Sequence, residues 1–235
     1  MNRKPFRFKQ FEIFQDKTAM KVGTDGVLLG AWSTLELGEN ILDIGTGTGL
    51  ISLMLAQRFP NAKLDAIEID KDAFIQASEN FEHSIFANRL TIFNSSLQEY
   101  STDKKYDLIV SNPPFFVVND TVDFDARKQA RQQETLTFEE LLQKTAELLH
   151  KDGLASFIIP YDQMGVFSEI ASQKGLKRSK TVYVRGNSTT AIKRVLLEFS
   201  FHEKEVEEKE LIIEVERHQY TEDYTNLTKD FYLKM

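Results

Sequence analysis

From residue 41 onward, short apolar runs alternate with longer segments whose apolar positions recur about once per helical turn. The runs 41–44, 64–68, 90–93, 106–110 and 154–159 read as strands. Between them, residues 50–58 read as a helix stopped by Phe59-Pro60, and Phe74, Ala77 and Phe81 share one face of the next helix. Phe138, Leu141, Leu142, Thr145, Leu148 and Leu149 mark an amphipathic helix, with Gly153 as its stop signal. Residues 161–172 read as helix, 181–184, 195–201 and 211–215 as strands, and about 222–232 as a short closing helix. Strands separated by helices predict βαβ units, and late consecutive strands predict a reversed edge. The expected fold is α/β: a doubly wound, mostly parallel seven-stranded sheet with an antiparallel edge near the C-terminus. No repeat, low-complexity linker or Pro/Gly-rich boundary divides the 235 residues, so one domain is expected over 1–235. Within it, 36–201 forms the core, 1–35 covers the ligand site, and 202–235 adds a hairpin and a helix.

Sheets of this kind bind ligands beyond the carboxyl ends of their strands. There the sequence places Asp43-Ile44-Gly45-Thr46-Gly47-Thr48-Gly49 between a strand and a helix. Glycines at such a turn let a ligand approach the backbone, and the helix start offers free N–H groups. Glu68 ends the next strand, 23 positions after Gly45. A carboxylate there accepts hydrogen bonds from both hydroxyls of a ribose. The spacing is Gly-x-Gly-x-Gly rather than Gly-x-Gly-x-x-Gly, and Asp43 would repel a pyrophosphate. An acid in that place suits an adenosine cofactor with an ammonium group and no phosphates. S-adenosylmethionine meets that description, and the loop resembles the first motif of class I S-adenosylmethionine-dependent methyltransferases.

Directly after the fourth core strand comes Ser111-Asn112-Pro113-Pro114-Phe115. Consecutive prolines stiffen the loop and restrict the residues before them. The Asn112 side-chain oxygen and the Pro113 carbonyl are two fixed acceptors, suited to a planar –NH2 group, and Phe115 offers a face for a base to stack on. Such an amino nitrogen is a poor nucleophile because its lone pair is delocalised into the ring. Holding its protons on two acceptors favours movement of that lone pair towards an incoming methyl group, so alignment and electrostatics suffice. Amino nitrogens of adenine, cytosine, guanine and glutamine all fit this chemistry.

Composition narrows the possibilities. Cysteine is absent, which removes disulfides, thiol nucleophiles and cysteine-based metal sites, and the four histidines lack ligand-like spacing, so no metal is expected. No apolar run approaches membrane-spanning length and the basic N-terminus is not followed by one, so the expectation is a cytoplasmic protein without a membrane partner or obligate protein partner. The net charge is −7, against a globally nucleic-acid-coating surface. The charge is nonetheless patchy. Residues 171–197 hold seven cations and no acid, and acids crowd 198–216, read as one late hairpin. Arg3 and Lys4 in the N-terminal arm, with Lys177, Arg178, Lys180 and Arg185, are the expected grip on RNA phosphates.

Residues 20–32 (Met-Lys-Val-Gly-Thr-Asp-Gly-Val-Leu-Leu-Gly-Ala-Trp), the terminus 220–232, Arg194-Val195-Leu196-Leu197 and the two loops together resemble the bacterial tRNA1(Val) (adenine(37)-N6)-methyltransferase family. The resemblance covers nearly the whole chain. It implies methylation of N6 of an unpaired adenine beside a valine anticodon. Gly45, Gly47, Gly49 and Glu68 would hold S-adenosylmethionine, Thr24 and Asp25 would border its pocket, and Asn112, Pro113, Pro114 and Phe115 would hold the adenine. Related enzymes often carry an acid after the third strand to read the cofactor's base, and here Ser96 takes that place, its hydroxyl able to accept one hydrogen bond. The competing readings are the same chemistry on ribosomal guanine or a protein glutamine, a nicotinamide oxidoreductase, and an RNA-binding module without turnover.

Overall fold

A computed structural model describes residues 4–18, 20–114 and 136–234. The N-terminal part contains a short antiparallel pair, β1 (Phe6–Arg7) and β2 (Glu12–Ile13), then helix α1 (Thr24–Trp32). The core continues through β3 (Asn40–Ile44), α2 (Leu50–Arg58), β4 (Lys63–Glu68), α3 (Lys71–His83), β5 (Leu90–Asn94) and β6 (Tyr106–Ser111). After residue 136 follow α4 (Phe138–Leu148), β7 (Leu149–Pro160), α5 (Met164–Gln173), β8 (Lys177–Arg185) and β9 (Arg194–Ser200). The chain closes with β10 (Glu207–Ile212), β11 (Glu214–Glu216), β12 (Gln219–Tyr220) and α6 (Glu222–Thr228).

The main sheet has the order β10-β8-β9-β7-β6-β3-β4-β5. It therefore has eight strands, not the seven expected. Only β9 runs against the others: it is antiparallel to both β7 and β8, and β10 lies parallel to β8. The acidic residues 198–216 thus do not form one hairpin. The basic strand β8 lies between β9 and β10, where Arg178 pairs with Glu208 at 3.6 Å, Arg185 with Glu210, and Lys180 with the buried Glu198 at 3.2 Å. The local hairpin of the terminal region is the small β11–β12 pair. Opposite charges on facing strands attract, so the sequence blocks that looked like separate patches instead draw the sheet edge together.

Alternation along the strands explains burial on both faces. Ile41, Leu108, Val110 and Ile158 face a core with α1 and α2, while Leu42, Ile109, Phe157 and Ile159 face one with α4 and α5. Helix α4 starts at a capping box, in which Thr137 accepts from the Glu140 N–H and Glu140 accepts from the Thr137 N–H. It passes directly into β7 at Leu149, so Gly153 does not stop it. Gly153 lies inside β7 at the irregularity opposite Tyr106, where a side chain would meet the Tyr106 carbonyl at 2.9 Å.

The N-terminal segment wraps over this core. Phe8 stacks on Phe11 and Tyr232, tying the two ends of the chain together. Further on, buried Asn80 of α3 accepts from the Phe14 N–H and donates to the Phe14 carbonyl, each at 2.9 Å, and to the Thr48 carbonyl at 2.8 Å. Gln76 accepts from the Lys17 N–H at 3.0 Å. These bonds set residues 14–17 beside the glycine loop.

Candidate active site

Strand β3 ends in a loop whose Gly45, Gly47 and Gly49 have φ of 71°, 58° and 81°. The Gly45 and Thr46 N–H groups both donate to the Ile67 carbonyl, at 2.9 and 3.1 Å, which ties the loop to the end of β4. A β-carbon added at Gly45 or Gly47 meets nothing within 4 Å, so this backbone borders open space. Gly49 differs: a β-carbon there would lie 2.5 Å from the Phe81 ring. Its bare α-carbon lets α3 pack against the loop, and Gly49 lines neither of the two cavities at this site.

Glu68 stands beside that open space. One oxygen accepts from the Gly47 N–H at 2.8 Å and the other from the Asp70 N–H at 2.9 Å. Burial raises its pKa, and the Asp70 and Gly47 N–H bonds oppose the rise. The carboxylate keeps capacity for a further donor. Asp43 lies beneath the loop with no exposed surface. One carboxylate oxygen accepts from the Thr46 and Ser52 hydroxyls at 2.6 and 2.7 Å, and the other is buried without a partner among the described residues. Asp43 therefore braces the loop from inside rather than lining the open space.

Burial pushes the Asp43 pKa up to about 6, against the pull of those two hydroxyls. The folded state thus holds this proton more tightly than the unfolded chain, whose value is near 3.8. The destabilisation is absent below that unfolded value, grows as pH rises, and is complete above about 6. A shift of that size corresponds to about 3 kcal/mol, roughly half of it developing between about pH 5 and 8. Asp43→Asn, which keeps an acceptor for both hydroxyls, should remove this pH dependence. Denaturant unfolding of both proteins across that range should show the variant gaining on the wild type as pH rises, and parallel curves would refute the assignment.

The Ser111 hydroxyl donates to the Ile44 carbonyl at 2.8 Å and so locks the end of β6 to the end of β3. Asn112 follows. Its Oδ1 is buried and has no hydrogen-bond partner among the described residues. Two cavities meet at this residue. One, of about 510 Å³, is lined by Glu68, Ile69, Ser96, Gln98 and Pro114 among others. The second, of about 380 Å³, lies between the starts of α1 and α2 and is lined by Thr24, Asp25 and the loop. Met20, Gly45, Gly47 and Asn112 border both. Such volumes suit a small-molecule cofactor. An open glycine cradle with a carboxylate at its rim fits S-adenosylmethionine, and the orphaned Asn112 acceptor stands where the two chambers meet.

Most of the expected cofactor residues thus gather at one place. Ser96 lines the larger cavity, but its hydroxyl donates to Glu99 at 3.0 Å and accepts from the Glu99 N–H at 3.2 Å. Asp25 is paired with Arg194 at 2.8 Å. Sequence reasoning missed Thr18, Met20, Ile69 and Gln98 in the cavity walls, and the Ser111 lock. The signal for Ile69 was an apolar residue directly after the strand-ending acid, and it is 54% exposed. Met20 and Ser111 begin the distinctive segments 20–32 and 111–115, and nothing local marks Thr18 or Gln98. Phe115 and Arg3 lie outside the described residues, and Lys4 is exposed. Lys177 pairs in register with Ser200, whereas Val184 pairs with Arg194 and Arg194 with Pro160. Lys177 and Arg178 therefore sit at the end of the sheet away from Asn112, and only Arg185 of that group reaches the site's end.

Comparison with known proteins agrees with this geometry. The methyltransferase small domain family matches residues 20–173. A tRNA1(Val) (adenine(37)-N6)-methyltransferase from Christiangramia forsetii is 45% identical over the full length of both chains. One from Flavobacterium johnsoniae is 48% identical, covering 98% of this chain and all of that protein. Among solved structures, a predicted O-methyltransferase from Agrobacterium tumefaciens superposes with a TM-score of 0.70 over 88% of this chain and 96% of that one, at 15% identity, a likeness of fold. The cofactor cradle, the stiff Asn-Pro-Pro corner and near-complete alignment with these relatives lead to one assignment: the chain belongs to the methyltransferase small domain family and, within it, to the tRNA1(Val) (adenine(37)-N6)-methyltransferases.

Proposed function

We propose that this enzyme methylates N6 of adenine 37 in the anticodon loop of a valine tRNA, in the cytoplasm where that RNA is found. The observation that carries the chemistry is the orphaned Asn112 Oδ1 at the junction of the two cavities. A buried acceptor without a partner is unfavourable unless a ligand supplies one. The full-length relatives support the choice of RNA.

S-adenosylmethionine, when bound, supplies an electrophilic methyl group on a sulfonium. Glu68 would accept from the ribose hydroxyls, Gly45 and Gly47 would give close access to the backbone, and Thr24 and Asp25 at the start of α1 would border the amino-acid end. Asn112 Oδ1 and the Pro113 carbonyl accept the two amino hydrogens of adenine. This fixes the nitrogen's position and favours lone-pair density on it as it attacks. Phe115 is the stacking partner in this reading. The amino nitrogen becomes strongly acidic on methylation, so its proton leaves to water without a dedicated strong base. Adenine 37 is unpaired, so only unstacking, at a few kcal/mol, opposes its entry.

The test is transfer of labelled methyl groups to total unmodified tRNA followed by nucleoside analysis. N6-methyladenosine at one position of one valine tRNA is the expected product. Label in guanine, or in protein in a parallel assay, would instead establish the same chemistry on another amino nitrogen.

A further inference from the structure

We propose that Tyr161 and Lys193 form the docking point for the RNA strand next to the target adenine, the ring stacking on a flanking base and the ammonium pairing with a phosphate. This rests on the reading that the substrate is tRNA. The two sides of Asn112 differ. On the β3–β4 side stand the two cavities, walled by residues of the N-terminal segment that Asn80 and Gln76 hold in place. The other neighbour of β6 is β7.

Strand β7 outruns β6. Ser111, the last residue of β6, pairs with Phe157, and β7 continues to Pro160. Tyr161 follows at once, on the end of the sheet that carries Asn112, and it is 43% exposed. A tyrosine exposed this far leaves much of its ring in water, about three residues further along β7 than the level of Asn112. It is also fixed. Its N–H donates to the Lys193 carbonyl at 3.1 Å, and its ring meets Tyr183 edge-on at 5.9 Å between centroids. The Tyr183 hydroxyl in turn donates to Glu208 at 3.2 Å. A held aromatic ring loses little entropy when a base stacks on it.

The connection from β8 to β9 adds charge at the same place. Residues 185–194 hold Arg185, Lys193 and Arg194 and no acid. Two of these cations have structural partners: Arg185 pairs with Glu210 and donates to the Thr190 carbonyl at 2.6 Å, and Arg194 pairs with Asp25. Lys193 between them is exposed and makes no ion pair with a described residue. The Arg194–Asp25 pair links this loop to the wall of the smaller cavity, so RNA bound here is held at a fixed offset from the site of methyl transfer. Asp162, the adjacent exposed acid, offsets the one cation left without an ion pair, so Lys193 acts as a single phosphate contact rather than as part of a basic field.

Steady-state kinetics and equilibrium binding with unmodified valine tRNA test this. Tyr161→Ala should raise KM and Kd for tRNA by about 5- to 160-fold, the range for losing one stacked base. The kcat at saturating tRNA and the Kd for S-adenosylmethionine should stay near wild type, and Tyr161→Phe should restore tRNA affinity because the ring rather than the hydroxyl stacks. Lys193→Gln should lower the slope of log Kd against log salt by about 0.7 to 0.9, one phosphate contact, whereas Lys63→Gln at the far end of the sheet should leave it unchanged. Wild-type tRNA affinity in Tyr161→Ala, or a parallel loss of cofactor affinity, overturns the proposal. A wild-type enzyme that methylates no tRNA overturns the reading beneath it, so the two failures are distinct.

Discussion

Alanine in place of Asn112 is expected to lower kcat by about 10²–10³-fold, the range seen when one preorganised transition-state hydrogen bond is removed. Affinity for S-adenosylmethionine should stay within about twofold, since the cradle of Gly45, Gly47 and Glu68 is made by other strands. The split follows from position. Asn112 borders both cavities with an acceptor that the protein itself leaves unused, while Ser111 behind it carries the structural bond to Ile44. Single-turnover methyl transfer together with calorimetric cofactor binding checks both halves. Full activity in the variant would remove Asn112 from the mechanism, and loss of cofactor binding would recast it as part of the cradle.

The second large effect separates two glycines of one motif. Gly49→Ala places a β-carbon 2.5 Å from the Phe81 ring at a φ of 81°. Overpacking and left-handed backbone together cost roughly 2–5 kcal/mol. For a chain of this size the melting temperature should fall by about 5–15 °C. Gly47→Ala at a φ of 58° meets no protein atom within 4 Å, so its structural cost is only the backbone term of about 1–2 kcal/mol. Its methyl group would instead enter the space both cavities share, and cofactor affinity should drop by more than about tenfold. Thermal unfolding and cofactor binding measured on both variants give opposite rankings if this is right. If Gly49→Ala melts like the wild type, the packing role is wrong.

That contrast also marks a limit of reading the sequence. Gly45, Gly47 and Gly49 look equivalent along the chain, yet only two of them border open space, because α3 returns Phe81 to the third. Asp43 similarly reads as an acid facing a cofactor, whereas it lies wholly beneath the loop. Nothing near Gly49 or Asp43 in sequence announces either fact. Both depend on how a later helix and the neighbouring hydroxyls pack.

Charge shows the same division. The basic stretch 171–197 is plain in the sequence, but its strand runs from the far end of the sheet to the site's end. Lys177 and Arg178 are therefore carried away from Asn112, and β10 inserts its acids alongside them. The outer edge strand begins four residues before the apolar run at 211–215 suggests, because residues 207–210 are Glu-Glu-Lys-Glu, an edge pattern with no apolar alternation, stabilised by the cations it faces.

What the amino-acid order determined by itself is local: apolar period, turn chemistry and proline stiffness act over a few residues, and these specify the alternating strands and helices, the glycine turn, the strand-ending Glu68 and the rigid Asn112 corner. What only the folded chain decided is long-range: that β6 lies beside β3, that the N-terminal segment walls the cavities, and which cations reach the site. Strand order and direction arise from contacts between residues far apart in sequence, whose packing energies no short window contains.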